Sequence, residues 1–186
     1  VKIVENFSDL LRQDLDLVVI ATANKAHAEQ ALAAIAAGIP VVIDKPAART
    51  LAETQTIFTA AEKAGVPVTV FYNRIWDSDA LTIKRVLTQG LIGKPFRLDS
   101  RFERFRPQLN PASWRENESP ENGGGLLLDL QTHLISTALD WFGPAQLTNA
   151  HIRSIRGNSE DDVVLTLKHD SGVDSYLSAS AIAGNP

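Results

Sequence analysis

The chain has 186 residues, 44% of them hydrophobic and 22% charged, a globular composition long enough for one large domain or two small ones. A net charge of −4 offers no basic patch for nucleic acid, no apolar run reaches the length of a bilayer span, and the absence of cysteine excludes disulfides and thiolate-held metals. Methionine is absent too, and the opening VKIVENF reads as a cut from inside something longer.

Taken in chain order, Ser8 is placed to cap a short helix through Arg12, with Leu10 and Leu11 inward. DLVVIA, from Asp16 to Ala21, has the β-branched, unbroken apolar character of a fully buried parallel strand. Thr22 to Asn24 form a turn. Asn24 then caps a helix over KAHAEQALAAIAA, and Gly38 ends it. Residues 39–43 form a second strand. Thr50 and Glu53 make a capping box for the next helix, which Gly65 closes, and VPVTVFY, from Val66 to Tyr72, is a third strand. Strand, helix, strand, helix, strand with short links predicts a parallel sheet with right-handed crossovers.

After Asn73 the pattern changes. Residues 79–89 form an amphipathic helix ended by Gly90. Residues 94–106 alternate as one long strand, with Phe96, Leu98, Ser100, Phe102 and Arg104 on one face. A polar, proline-containing loop covers residues 107–122. Gly123 to Gly125 then lead into an apolar helix over residues 126–142, closed by Gly143 and Pro144. Residues 150–156, 163–168 and 173–181, with a turn at Asp170-Ser171-Gly172, predict an antiparallel meander. The fold expected is α/β: an incomplete Rossmann-type parallel sheet over residues 1–73, then an α+β domain with a mainly antiparallel sheet over residues 74–186.

In open parallel sheets ligands bind beyond the carboxyl ends of the strands. Two strands here end in polar groups: one in Thr22-Ala23-Asn24, with His27 shortly after, the other in Asp44-Lys45-Pro46. Pro46 biases Lys45 toward an extended backbone, which aims an ammonium group into the crevice. The residues alone leave a second reading open, a surface lysine paired with Asp44. The other concentration of polar groups is GGGLLLDLQTHLISTALDWFG. Asp129 and His133, four apart, share a helix face, and Thr137 and Asp140 continue the stripe. They read as an acid–base pair, or equally as a solvated pair on an outer face. Three glycines before this helix let the backbone approach something closely, or start the helix in an unusual conformation.

Other candidates are weaker. His27, His133, His151 and His169 lie far apart without metal-ligand spacing, so no metal site is expected; His151 and His169 sit in alternating strands as surface residues. No G-x-S-x-G elbow anchors hydrolase chemistry. Arg101, Arg104 and Arg106 fit a solvated face better than an anion site. Trp114 and Arg115 either reach a ligand or pack as an isolated aromatic with its neighbour.

VVIATANKAHAEQALAAIAAGIPVVIDKPAART resembles the middle of the nucleotide-binding domain of the glucose–fructose oxidoreductase / inositol dehydrogenase (Gfo/Idh/MocA) family, with its T-P-N-x-x-H turn and A-G-K-x-V-x-x-E-K-P strand end. GGGLLLDLQTHLISTALDWFG resembles that family's G-G-G-x-x-x-D-x-x-x-H helix, and YNRIWDSDALTIKRVLTQGLIGKP the segment between the two. The likeness runs over essentially the whole chain in the family's order. RFERFRP followed by W-R-E further resembles the NADP-using scyllo-inositol dehydrogenase branch.

The resemblance implies roles. Lys45 hydrogen-bonds the reacting hydroxyl beside the nicotinamide, His133 is the general base, and Asp129 positions substrate and tunes the histidine. Thr22, Ala23, Asn24 and His27 lie near the cofactor's ribose and pyrophosphate, with Asp44, Pro46 and Asn73 on the same cofactor side. Trp114 and Arg115 belong to a loop that reaches nicotinamide or substrate. The implied protein is a cytoplasmic oxidoreductase moving hydride between NAD or NADP, the branch favouring NADP, and a polyol, cyclitol or sugar. It has no nucleic-acid or membrane partner and forms a homo-oligomer through the antiparallel sheet. The alternatives are a non-catalytic sugar or nucleotide sensor on the same fold, or an inactive fragment. Four positions depart from the family pattern: Asp44 for glutamate, Ala23 for proline, Ile75 for a second arginine, and Gln131-Thr132 for a pair that starts with glycine. The last is expected to reshape the substrate pocket. Val1 falls after the family's G-x-G-x-x-G turn, and Pro186 before its last strands, so the chain reads as an internal segment.

Overall fold

The computed structural model describes residues 2–184. The chain divides into two compact units, Val1–Phe71 and Tyr72–Pro186.

In the first unit α1 (Phe7–Leu11) precedes β1 (Val18–Ile20), α2 (Asn24–Ala36), β2 (Val41–Asp44), α3 (Leu51–Ala64) and β3 (Val68–Phe71). The strands are parallel in the order β1-β2-β3, with Val18 beside Val41 and Val41 beside Val68. Right-handed crossovers that advance in one direction put both helices on the same face. That face carries Val18, Ile20, Val41 and Ile43, which form one core with Ile35 of α2 and Ile57 and Ala61 of α3. Strands buried on both faces were expected; instead Val19 is 64% and Phe71 50% exposed, because α2 and α3 cover only one side. Two caps also differ from expectation. Asn6, not Ser8, caps α1, its side chain accepting from the Asp9 amide. Ala23 is the cap residue of α2, and Asn24 is its first helical residue. The Thr50 cap of α3 stands: its hydroxyl accepts from the Glu53 amide at 3.1 Å, and Gly65 closes the helix at φ 65°.

The second unit begins with a 3-10 turn (Asn73–Trp76) and continues through α4 (Ser78–Thr88), β4 (Arg97–Glu103), α5 (Trp114–Asn117), a 3-10 turn (Pro120–Asn122), a π-helical turn (Leu127–Gln131), α6 (Thr132–Phe142), β5 (Ala145–Arg153), β6 (Asp162–His169) and β7 (Asp174–Ser180). The sheet order is β4-β7-β6-β5. The last three strands form the expected antiparallel meander, but β4 lies parallel to β7, so the sheet is mixed. Leu130, Leu134 and Ala138 pack on Val163, Leu165, Leu167, Leu177 and Ala179, with Leu98 and Phe102 at the margin. The predicted 107–122 loop contains two short helical turns. His169 is buried, not a surface residue: its ring nitrogens lie 2.8 Å from the Gly143 carbonyl and 2.9 Å from the Ser175 hydroxyl.

Candidate functional site

In the first unit the carboxyl ends of β1 and β2 are neighbours, and His27 ties their two turns together. The ring is 1% exposed, with Nδ1 at 2.8 Å from the Pro46 carbonyl and Nε2 at 3.1 Å from the Thr22 carbonyl. A neutral imidazole can donate to only one of these at a time. His27 therefore acts here as a brace between the turns, not as a group facing outward. The Thr22 hydroxyl donates to Gln30 at 2.8 Å, and Asn24 is buried. Asp44 accepts from the Lys45 backbone amide at 2.9 Å, which fixes the turn at the end of β2; Lys45 is half-buried and joined to buried Pro46 by a cis peptide bond. Ala23 at the cap position of α2 carries no side-chain acceptor. The first turn of that 13-residue helix is thus without the side-chain cap that most helices carry. The N-terminal end of α2, with its positive dipole, and the Lys45 ammonium lie at the strand ends where an anionic dinucleotide would be held.

In the second unit His133 is 8% exposed and lines a cavity of about 370 Å3 whose wall mixes Arg74, Asp79, Ser100, Arg101 and Thr137 with Ile83, Leu134 and Trp141. Its ring lies 6.3 Å from that of Phe102, over which the guanidiniums of Arg74 and Arg104 sit at 5.6 and 5.0 Å. Arg74 is itself held by Asp77 at 2.7 Å. The stripe of four polar residues on this helix is only partly kept. His133 and Thr137 face the cavity, whereas Asp140 pairs with Lys84 of α4 at 2.7 Å and Asp129 with Arg115 at 3.4 Å. Asp129 lies in the π turn, whereas His133, Thr137 and Asp140 lie in the α-helix after it. Thr132 accommodates that turn by donating to the Leu128 carbonyl at 2.8 Å, and fully buried Gln131 donates to the Leu177 carbonyl at 3.2 Å. Neither lines the His133 cavity.

Arg115 joins Asp129 to Trp114, its guanidinium 4.4 Å from the indole. Asn73 opens the first 3-10 turn with its Oδ1 buried and lacking a hydrogen-bond partner among the described residues. Sequence reasoning passed over one group altogether, the loop before β6. The Asp161 carboxylate accepts from the Ile155 and Arg156 amides at 2.9 and 2.8 Å. Arg156 donates to the Arg106 carbonyl at 2.6 Å, and the Ser159 hydroxyl donates to the Glu118 carbonyl. Glu160, 4% exposed, accepts from the Leu127 amide through Oε1 at 3.1 Å. Desolvation raises the Glu160 carboxyl above its ordinary value; Asp161 and Glu121 push the same way, against two backbone hydrogen bonds. The signal available was the run E-D-D just before an apolar strand, since three acids at a buried strand's mouth require partners. Among the described residues no group of three or more His, Asp or Glu is arranged to share a metal ion.

Residues 1–72 match the oxidoreductase family with an NAD-binding Rossmann fold, and residues 80–186 match the Gfo/Idh/MocA C-terminal domain. The chain belongs to the Gfo/Idh/MocA family of oxidoreductases. It is 42% identical over 136 residues to the uncharacterized oxidoreductase YdgJ of Escherichia coli, covering 73% of this chain and 38% of that one. To IolW of Bacillus subtilis, a scyllo-inositol 2-dehydrogenase (NADP(+)), it is 36% identical over 146 residues, 78% of this chain and 40% of the other. An NAD-binding protein of Listeria innocua superposes with a TM-score of 0.90 at 29% identity, over 100% of this chain and 55% of that one. The chain thus spans less than two thirds of the length of each.

Proposed function

We propose that the protein is an NAD(P)-dependent oxidoreductase that interconverts a secondary alcohol and a ketone on a polyol, cyclitol or sugar. One observation carries this reading: a buried imidazole, His133, on the wall of a cavity with the hydrogen-bonding side chains a polyhydroxyl compound needs. When bound, the dinucleotide supplies the hydride acceptor or donor. His133 removes or returns the hydroxyl proton, and the Lys45 ammonium stabilises negative charge on the same oxygen. Asp129, held by Arg115, orients the substrate and the imidazole. Thr22, Ala23, Asn24, Asp44, Pro46, Asn73 and Trp114 hold the cofactor, and His27 braces the turns that do so. NADP is proposed over NAD because the relative IolW bears that cofactor in its name. Self-association is assigned to the sheet face that carries Arg97, Asp99, Tyr176 and Ser178, and the location to the cytoplasm.

The test is turnover of scyllo-inositol, its stereoisomers and a set of aldoses by the intact protein, followed through nicotinamide absorbance with each dinucleotide. Lys45→Ala should lower kcat by roughly 10²-fold or more while the dinucleotide still binds. Normal turnover by that variant removes Lys45 from the chemistry. Tight polyol binding without turnover by the wild type would mark a sensor instead.

A further inference from the structure

The Glu160 carboxyl group lies flat against the Gly125 α-carbon. A methyl group added to Gly125 would meet Cδ, Oε1 and Oε2 of Glu160, all at 2.1 Å. Next to it, a methyl group on Gly124 would stand 2.0 Å from the Glu118 carbonyl oxygen. Gly125 therefore leaves the space that the acid fills, and Gly124 the space of the Glu118 carbonyl. Glu160 takes the first two amides of the segment: its backbone carbonyl accepts from Leu126 at 3.0 Å and its Oε1 from Leu127 at 3.1 Å. The Gly125 amide donates to the Arg115 carbonyl at 2.8 Å, so the same point fixes the loop bearing Trp114 and Arg115. Asp129 lies two residues beyond Leu127, and His133 one turn further.

Capping alone does not call for such an arrangement. Ser, Thr, Asn or Asp satisfy helix amides at lower cost, and a carboxyl group of which Oε2 is buried without a hydrogen-bond partner among the described residues is an expensive choice. Such groups are kept where geometry matters.

We propose that Glu160 is a positioning residue: it grips the first turn of the segment carrying Asp129 and His133, beside the Gly125 amide that ties this segment to the Arg115 carbonyl. The proposal rests on the oxidoreductase reading above. Its test compares Glu160→Ala, Glu160→Asp and Glu160→Gln in the intact protein. Ala has no acceptor, and Asp is too short to keep the Leu127 bond. Gln retains both the acceptor and the shape. Each variant is first checked for folding by urea titration. Ala and Asp should lower kcat by about 10–100-fold with little change in KM for the dinucleotide, the range set by a misplacement of about 1 Å. Gln should remain near wild type. Wild-type kcat in Ala and Asp would overturn the proposal, as would equal losses in Gln and Ala, which would mean that charge and not position is at stake. If the wild type turns over no substrate, the oxidoreductase reading fails by itself. The NMR titration of the His133 ring then decides: a midpoint moved in Ala and Asp but not in Gln upholds positioning, and identical midpoints in all four proteins overturn it.

Discussion

Substituting the two glycines at the start of the candidate catalytic segment separates steric from conformational effects. Gly124 lacks a positive φ, yet its added methyl would sit 2.0 Å from the Glu118 carbonyl oxygen and 2.8 Å from its carbon. Backbone cannot swing aside as a side chain does, so Gly124→Ala should destabilise by about 1–3 kcal/mol, the range for overpacking. Gly172, in the β6–β7 turn, has φ 89° and open space around it. Gly172→Ala isolates the left-handed penalty, about 1–2 kcal/mol. Gly125 combines φ 92° with the 2.1 Å approach of the Glu160 carboxyl. Its alanine variant should therefore lose roughly 2–5 kcal/mol, a large share of a typical domain's stability. With a urea slope of about 2 kcal/mol per molar, the midpoint should fall by roughly 1–2.5 M with m unchanged. All three substitutions lie in the second unit, so they are compared within the same part of the chain. Adding Glu160→Ala to Gly125→Ala should recover part of the loss, a coupling of about 1 kcal/mol or more. Gly125→Ala no worse than Gly172→Ala would refute the reasoning, because the carboxyl group would then be free to move away.

Three other outcomes are expected. His133→Asn should flatten the acidic limb of the rate–pH profile for alcohol oxidation, and an unchanged limb would point to another base. Thr50→Ala removes the hydroxyl that accepts the Glu53 amide and should lower stability of the first unit by about 1 kcal/mol, read as a shift in urea midpoint. The third concerns pH. Because burial raises the folded-state value of Glu160 above its ordinary 4.5, folding favours the protonated acid, so its contribution is fullest below that pH and is lost as pH rises through the folded value. Glu160→Gln should therefore gain stability relative to wild type as pH is raised from about 4 toward neutrality, measured by denaturant midpoints across that range. A constant difference would show that the carboxyl group is not desolvated.

The parts of the fold that were legible in the sequence are those with local causes. The Thr50–Glu53 cap, the Gly65 helix end and the βαβαβ alternation each depend on residues within a few positions of one another. The parallel pairing of β4 with β7 was not legible, because alternation has the same period whichever way the neighbour runs. Nor was the one-sided burial of β1, since LVVI is apolar throughout and does not say which face will be covered. For the candidate site, the residue types were visible but their grouping was not. Asp129 and His133 were read on an ideal helix, and the π turn over Leu127–Gln131 and the pairing of Asp129 with Arg115 left no trace in that spacing. Glu160 escaped notice because its partners are glycines and amides more than 30 residues away, which leave no charge pattern to read.

The pairing of β4 with β7 also bears on how the polypeptide comes off the ribosome. The Ser178 hydroxyl reaches the Glu103 carboxylate at 2.7 Å across 75 positions of chain, and Arg101 lies beside Ser178 in register. The βαβαβ unit closes through short loops and can consolidate while synthesis continues. The second sheet cannot: β4 must wait, unpaired, until β7 emerges beside it, about 70 residues later. Premature termination just before Asp174 would leave β4 unpaired and a nascent protein prone to stick to its neighbours.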